Sequence, residues 1–189
     1  EALEAGEREA MWEAFRRLAR RNVLTAAEWG RELREAARRG DVGGIGEALS
    51  AGAAVDDADE RGATPLQLSC RAGATEAART LLDAGAAVDR GDAGGDTALI
   101  GAVASGRPEV AELLLDRGAA IDRPDARGRT ALMVAAAKGD VAMLGLLLRH
   151  GADAAVVDPD GETARSLARR HGGTAAESVL ASRGAPDRA

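Results

Sequence analysis

The chain has 189 residues, a formal charge of −6, one cysteine and only 2% aromatic residues. One cysteine rules out an intrachain disulfide, and an acidic, ring-poor chain argues against nucleic-acid binding, which calls for a basic surface interleaved with stacking side chains. No apolar run has the length of a membrane span and no leader-like segment is evident, so the composition predicts a soluble, reduced, cytoplasmic setting, or a nuclear one in a eukaryote. The sequence opens on Glu1 rather than Met and so reads as a trimmed piece, which makes the missing leader weak support for that setting. Arginine supplies every basic residue except Lys138. With so much Ala and Gly, this reads as a coding bias of the source rather than a sign of function.

Residues 1–26 are predicted to form an N-terminal helical extension. Met11, Phe15 and Leu18 share one helical face with Trp12 beside it, and Glu9 and Glu13 precede Arg16 and Arg17 in the order that supports a helix. The extension is expected to cover the outer face of the unit that follows; the other reading is a helix that binds a partner or dimerises. Thr25 is placed to cap a further helix running through Trp29, Leu33 and Ala36–Ala37.

From there the chain repeats. Thr64, Thr97, Thr130 and Thr163 are 33 residues apart, and so are Asp59, Asp92, Asp125 and Asp158. Gly62, Gly95, Gly128 and Gly161 keep the same step, as do Gly85, Gly118, Gly151 and Gly184, and Gly73, Gly106, Gly139 and Gly172. A fixed period with fixed punctuation means one supersecondary unit copied along a solenoid. Five units are predicted, at 27–58, 59–91, 92–124, 125–157 and 158–185, with a tail at 186–189. The first lacks the Asp and Gly of the entry motif and has Arg31 where Thr is expected; the fifth turns polar at Arg165, Arg169 and Arg170. End units face water, and these departures suit capping units.

The fourth unit shows what each copy does. Asp125, Gly128 and Thr130 make a turn and a helix N-cap. Ala131–Lys138 is a short apolar helix stopped by Gly139, and Val141–His150 is a second helix stopped by Gly151. Helices of this length are unstable alone in water, where even ~12–15 residues are marginal. Stability must come from burial against neighbouring copies. Gly101 and Gly145, and Gly43, Gly44 and Gly46 in the first unit, weaken their helices, predicting a soft array that is least firm at its N-terminal end.

Asp-x-x-Gly-x-Thr-Pro-Leu, a small-residue helix, Gly, a Leu-rich helix and Gly-Ala together resemble the ankyrin repeat. Residues 59–73 and 109–122 carry the resemblance best, and it extends over about 30–185. It implies an all-α solenoid of about five stacked helix-turn-helix units with short β-hairpin-like connections. The histidine of the family's Thr-Pro-Leu-His, which resembles a cross-turn hydrogen bonder, is absent throughout: these stretches read Thr-Pro-Leu-Gln, Thr-Ala-Leu-Ile, Thr-Ala-Leu-Met and Thr-Ala-Arg-Ser.

No catalytic motif for acid–base, nucleophilic or metal chemistry appears, so no enzyme activity, cofactor or metal is expected. The Gly91–Asp96 stretch lacks the lysine of a phosphate loop and falls on an inter-repeat hairpin. The acids around Asp57–Gly62 and Asp158–Gly161 miss the ligand positions of a calcium loop and read as turn residues. Cys70 sits at a small-residue core position and reads as an inert thiol.

The resemblance places binding on hairpin tips and first-helix ends along a concave face. By position these are Glu60, Arg61, Asp96, Arg127 and Arg129 on the hairpins, and Arg38, Arg39, Arg71, Ser105 and Lys138 at the helix ends. The basic helix ends favour a protein partner with an acidic patch; the competing reading is solvated arginine lying over an Ala-rich groove. The expected function is a protein–protein interaction module, as scaffold, adaptor or inhibitor, monomeric on its own. The alternative is a regulatory or substrate-recruiting domain of a larger enzyme. A self-associating structural array is a third reading.

Overall fold

The structure, a computed structural model, describes residues 24–182. The predicted aromatic face around Met11–Leu18 and the 186–189 tail lie outside the described residues. The helices are α1 (Ala26–Arg39), α2 (Val42–Ser50), α3 (Pro65–Ala72), α4 (Thr75–Asp83), α5 (Ala98–Ala104), α6 (Pro108–Asp116), α7 (Ala131–Lys138), α8 (Val141–Arg149), α9 (Ala164–Leu167) and α10 (Gly173–Ser182). The described residues contain no strand; one isolated antiparallel bridge joins Val157 and Thr163. No described helix is long and apolar enough to cross a membrane.

Local chemistry sets the helix starts. Thr64, Thr97, Thr130 and Thr163 are all extended and accept from the backbone N–H three residues on, closing the first turn. Pro65 and Pro108 occupy first helical positions, where no N–H is needed. The helices then stack in two layers. In one, α1, α3, α5, α7 and α9 meet in succession; in the other, α2, α4, α6, α8 and α10 do. Leu33, Leu66, Leu99 and Leu132 of the first layer and Leu81, Leu114 and Leu147 of the second are fully buried and mark the continuous core. Each such side chain contributes about 1.5–3 kcal/mol through burial, which no single helix pair would provide by itself. Cys70 lies in that core, where burial pushes its thiol up to about 12 and leaves it protonated and unreactive at neutral pH.

The turns are ordered by their own aspartates. Asp59, Asp92, Asp125 and Asp158 each aim one carboxylate oxygen back into the turn, accepting from the amides two and four residues on at 2.8–3.0 Å. Successive turns are also stitched together, Ala93 donating to the Arg61 carbonyl and Ala126 to that of Gly94, both at 2.9 Å. Pro159 holds the next place in this series and has no N–H to give. On the opposite edge, Asp56, Asp89 and Asp122 accept from the backbone N–H of Ala87, Ala120 and Asp153 in the following unit. Ala155 holds the fourth place and ends that ladder.

The end units differ from the repeat frame in two ways. Thr25, not the frame position at Arg31, starts α1, through a capping box with Glu28 that holds the Glu28 carboxyl below its ordinary range. The first helix is therefore longer than its counterparts in the later units. In the fifth unit, Ala168–Gly172 winds as a π-helix, and the left-handed glycine is Gly173, with φ 79°, rather than the framed Gly172. The wider π turn takes in one extra residue and shifts the stop by one.

Candidate functional site

The ten residues singled out from the sequence fall into two groups. Glu60, Arg61 and Arg127 are exposed on the turns that precede α3 and α7. Arg38, Arg39, Ser105 and Lys138 lie at the opposite ends of first-layer helices. An eight-residue helix is about 12 Å long, so the two groups border one face from opposite sides.

Several of the basic residues are already engaged. Arg71 Nη2 is 2.6 Å from Asp92 Oδ2 and 3.6 Å from Asp96 Oδ2, both on the next turn. Its stem runs over Gly101, where an added Cβ would lie 3.2 Å from Arg71 Cγ. The glycine that interrupts α5 is thus the seat of this arginine. Arg129 grips Asp125 through Nε and Nη2 at 3.1 and 2.9 Å. Lys138 Nζ donates to the Ala104 carbonyl at the end of the preceding first-layer helix. These three side chains bind their own array. Arg38 and Arg39 are different: both are 57% exposed and share a single carboxylate, Glu35, at 3.5 and 3.8 Å.

Gln67 was not among the sequence candidates, yet it does the bridging for which the family's histidine was missed. Its Nε2 donates to the carbonyls of Arg90 and Asp96, at 2.9 and 2.6 Å, tying α3 to the next turn. Arg34 occupies the matching place in the first unit and reaches Asp57 and the Ala58 carbonyl. The Gly91–Asp96 stretch offers no phosphate cradle of the usual kind, since its Gly94 and Asp96 amides already donate to Asp92. Among the described residues, no group of three or more His, Cys, Asp or Glu is arranged to hold a metal ion.

Asp96 is the electrostatic outlier of this surface. Partial burial and the neighbouring Asp92 raise its pKa above the ordinary 3.8, against the pull of Arg71; Asp125 adds to the rise and Arg129 opposes it. Between the ordinary and the raised value the folded chain binds more proton than the unfolded chain, so this group's contribution to stability falls as pH rises through that window. Asp96→Asn is accordingly expected to match or exceed the parent's stability at pH 7, by no more than about 1 kcal/mol at so exposed a site. Arg71 keeps its 2.6 Å partner Asp92. Urea titrations at neutral pH and near pH 4 should show the gap closing in acid. A destabilised variant at pH 7 would mean that the Arg71 contact outweighs the repulsion.

Two family models match the chain: that described as ankyrin repeats (3 copies) over residues 33–125, and that described as ankyrin repeats (many copies) over 114–168. No curated protein matches it.

Proposed function

Because the chain belongs to the ankyrin-repeat family, whose members are in general protein–protein interaction modules, we propose that it acts by occupying the surface of a protein partner. Scaffold, adaptor and inhibitor are all forms of that role. The observation that carries the reading is the rigid presentation of the hairpin tips. Glu60, Arg61 and Arg127 are exposed on turns whose backbone amides are fixed by buried or half-buried aspartates and by the neighbouring turn. A backbone held this way loses little freedom on binding, which favours recognition by preformed turns. The arginines at the helix ends favour a partner with an acidic patch. No nucleic acid, membrane or cofactor enters this reading, and the chain acts as a monomer on its own.

The test is site-specific photocrosslinking in the source cell. A photoreactive residue at Arg61 or Ala126 is expected to capture a discrete protein. The same group at Asp83, on the second-layer edge, is expected to capture none. Capture only from Asp83, or from neither tip, would refute binding through the tips. Light scattering on the purified chain checks the monomer.

A further inference from the structure

We infer that the depression between the first two units docks an acidic segment of the protein partner. The inference rests on the interaction reading above and narrows it to one place. The depression measures about 450 Å³ and is lined by Arg38, Arg39 and Gly40 from the end of α1 and by the turn from Ala72 to Ala77 that opens α4.

Its charge is what selects the occupant. Arg38 and Arg39 stand at its wall with only Glu35 between them, leaving a guanidinium without a carboxylate of its own. Arg107, from the next unit, lies over Gly73 at the rim, within 2.8–3.3 Å of where a Cβ would stand, and does not itself line the depression. Arg107 is exposed, and no described acid pairs with it. The floor is the start of α4, where Ala74 occupies the cap position and supplies no side-chain acceptor. The amides of that first turn add a partial positive charge facing the same space.

The nearby acids are occupied. Asp41 accepts from the Gly44 amide of its own helix. Glu76, which itself lines the depression, is paired with Arg79 at 3.6 Å. A carboxylate entering the depression meets forked donors on one side and helix-end amides on the other, without displacing an existing partner other than the shared Glu35. The matching place between the third and fourth units is closed: Lys138 already donates to the Ala104 carbonyl, and Asp140 caps α8. An acidic peptide suits the site better than a nucleic-acid strand. None of the residues that line the depression carries a ring on which a base could stack.

The experiment uses the full chain and a fluorescent poly-glutamate peptide, with a poly-glutamine peptide and an oligothymidylate as comparisons. Binding is read by anisotropy and by amide shifts. Poly-glutamate is expected to bind, with the largest shifts at Gly73–Ala77, and the other two probes to bind at least about tenfold more weakly. Replacing Arg38 and Arg39 together by Gln is expected to weaken poly-glutamate by about tenfold or more, while Arg117→Gln with Arg149→Gln, at exposed second-layer helix ends away from the depression, changes it by less than about twofold. Unchanged circular dichroism and melting of each variant show that the fold is intact. Equal losses from both pairs would reveal unspecific attraction and overturn the inference. Shifts centred elsewhere, tighter binding of oligothymidylate, or no binding of poly-glutamate would overturn it too. If the tips still crosslink a protein while poly-glutamate fails, this docking place is wrong and the interaction reading stands. If the tips capture nothing, the reading itself falls.

Discussion

Gly95→Ala is expected to cost about 2–4 kcal/mol of stability, against about 1–2 kcal/mol for Gly118→Ala, although both glycines are left-handed, with φ of 74° and 82°. The shared part is backbone strain, since an L side chain adopts this conformation reluctantly. The difference is space. A Cβ at Gly118 meets nothing within 4 Å, whereas one at Gly95 lies 2.5 Å from the Ala126 nitrogen and 3.1 Å from the Asp125 carbonyl carbon. Those atoms are backbone and cannot swing aside as a side chain would. Relief requires the turns of the third and fourth units to separate, which breaks the bond from Ala126 N–H to the Gly94 carbonyl and adds about 1 kcal/mol. Urea unfolding of the two variants side by side measures the gap. Hydrogen exchange locates it, because the Ala126 amide should lose protection in the Gly95 variant and keep it in the Gly118 variant. Equal losses at the two positions would show that turn stacking contributes nothing beyond the glycine conformation itself.

Much of this architecture is legible in the sequence because it repeats. A threonine cap, a turn aspartate and a helix-stopping glycine each act within a few residues, so a fixed spacing is enough to place them. Asp56, Asp89 and Asp122 also keep the 33-residue step, but their role needs the stack: each accepts from an amide 31 residues away, in the next unit. The candidate surface was read less completely, for a related reason. Arg71, Arg129 and Lys138 look alike in the sequence to Arg38 and Arg39, as cations at repeat positions. Whether each is bound depends on residues that do not repeat, such as Gly101 making room for Arg71 to reach the turn aspartate Asp92, with Asp96 beside it. The open pair at Arg38 and Arg39 arises because both side chains reach the same carboxylate, Glu35. The π turn in the fifth unit had no signal at all, because a one-residue slip leaves the glycine pair Gly172–Gly173 reading equally well in either register.

Asp125→Ala should be the most damaging side-chain truncation of a turn aspartate, at about 2–4 kcal/mol. The Asp125 side chain is only 2% exposed, yet it satisfies four donors: the amides of Arg127 and Arg129 at 2.9 and 2.8 Å, and Nε and Nη2 of Arg129. Truncation leaves two amides in a tight turn without their acceptor, each worth about 1 kcal/mol or more when stranded away from water. The guanidinium costs less, since Arg129 is 37% exposed and can rehydrate. This division gives an order that melting curves can check. Asp125→Asn keeps the oxygen that serves the amides and loses only the pairing with Arg129, so about 1 kcal/mol is expected of it, and Arg129→Ala should be no worse. If Asp125→Asn proves as harmful as Asp125→Ala, the ion pair rather than the turn amides holds the hairpin. The distinction reaches the binding surface, because Arg127 stands at the tip of this turn. Asp125→Ala should weaken capture of a partner through that tip without touching the partner itself, by letting the turn move. Arg127→Ala should weaken it at unchanged stability. Combining the two should then add little to the binding loss of Asp125→Ala alone, whereas full additivity would mean that the Arg127 contact does not depend on an ordered turn.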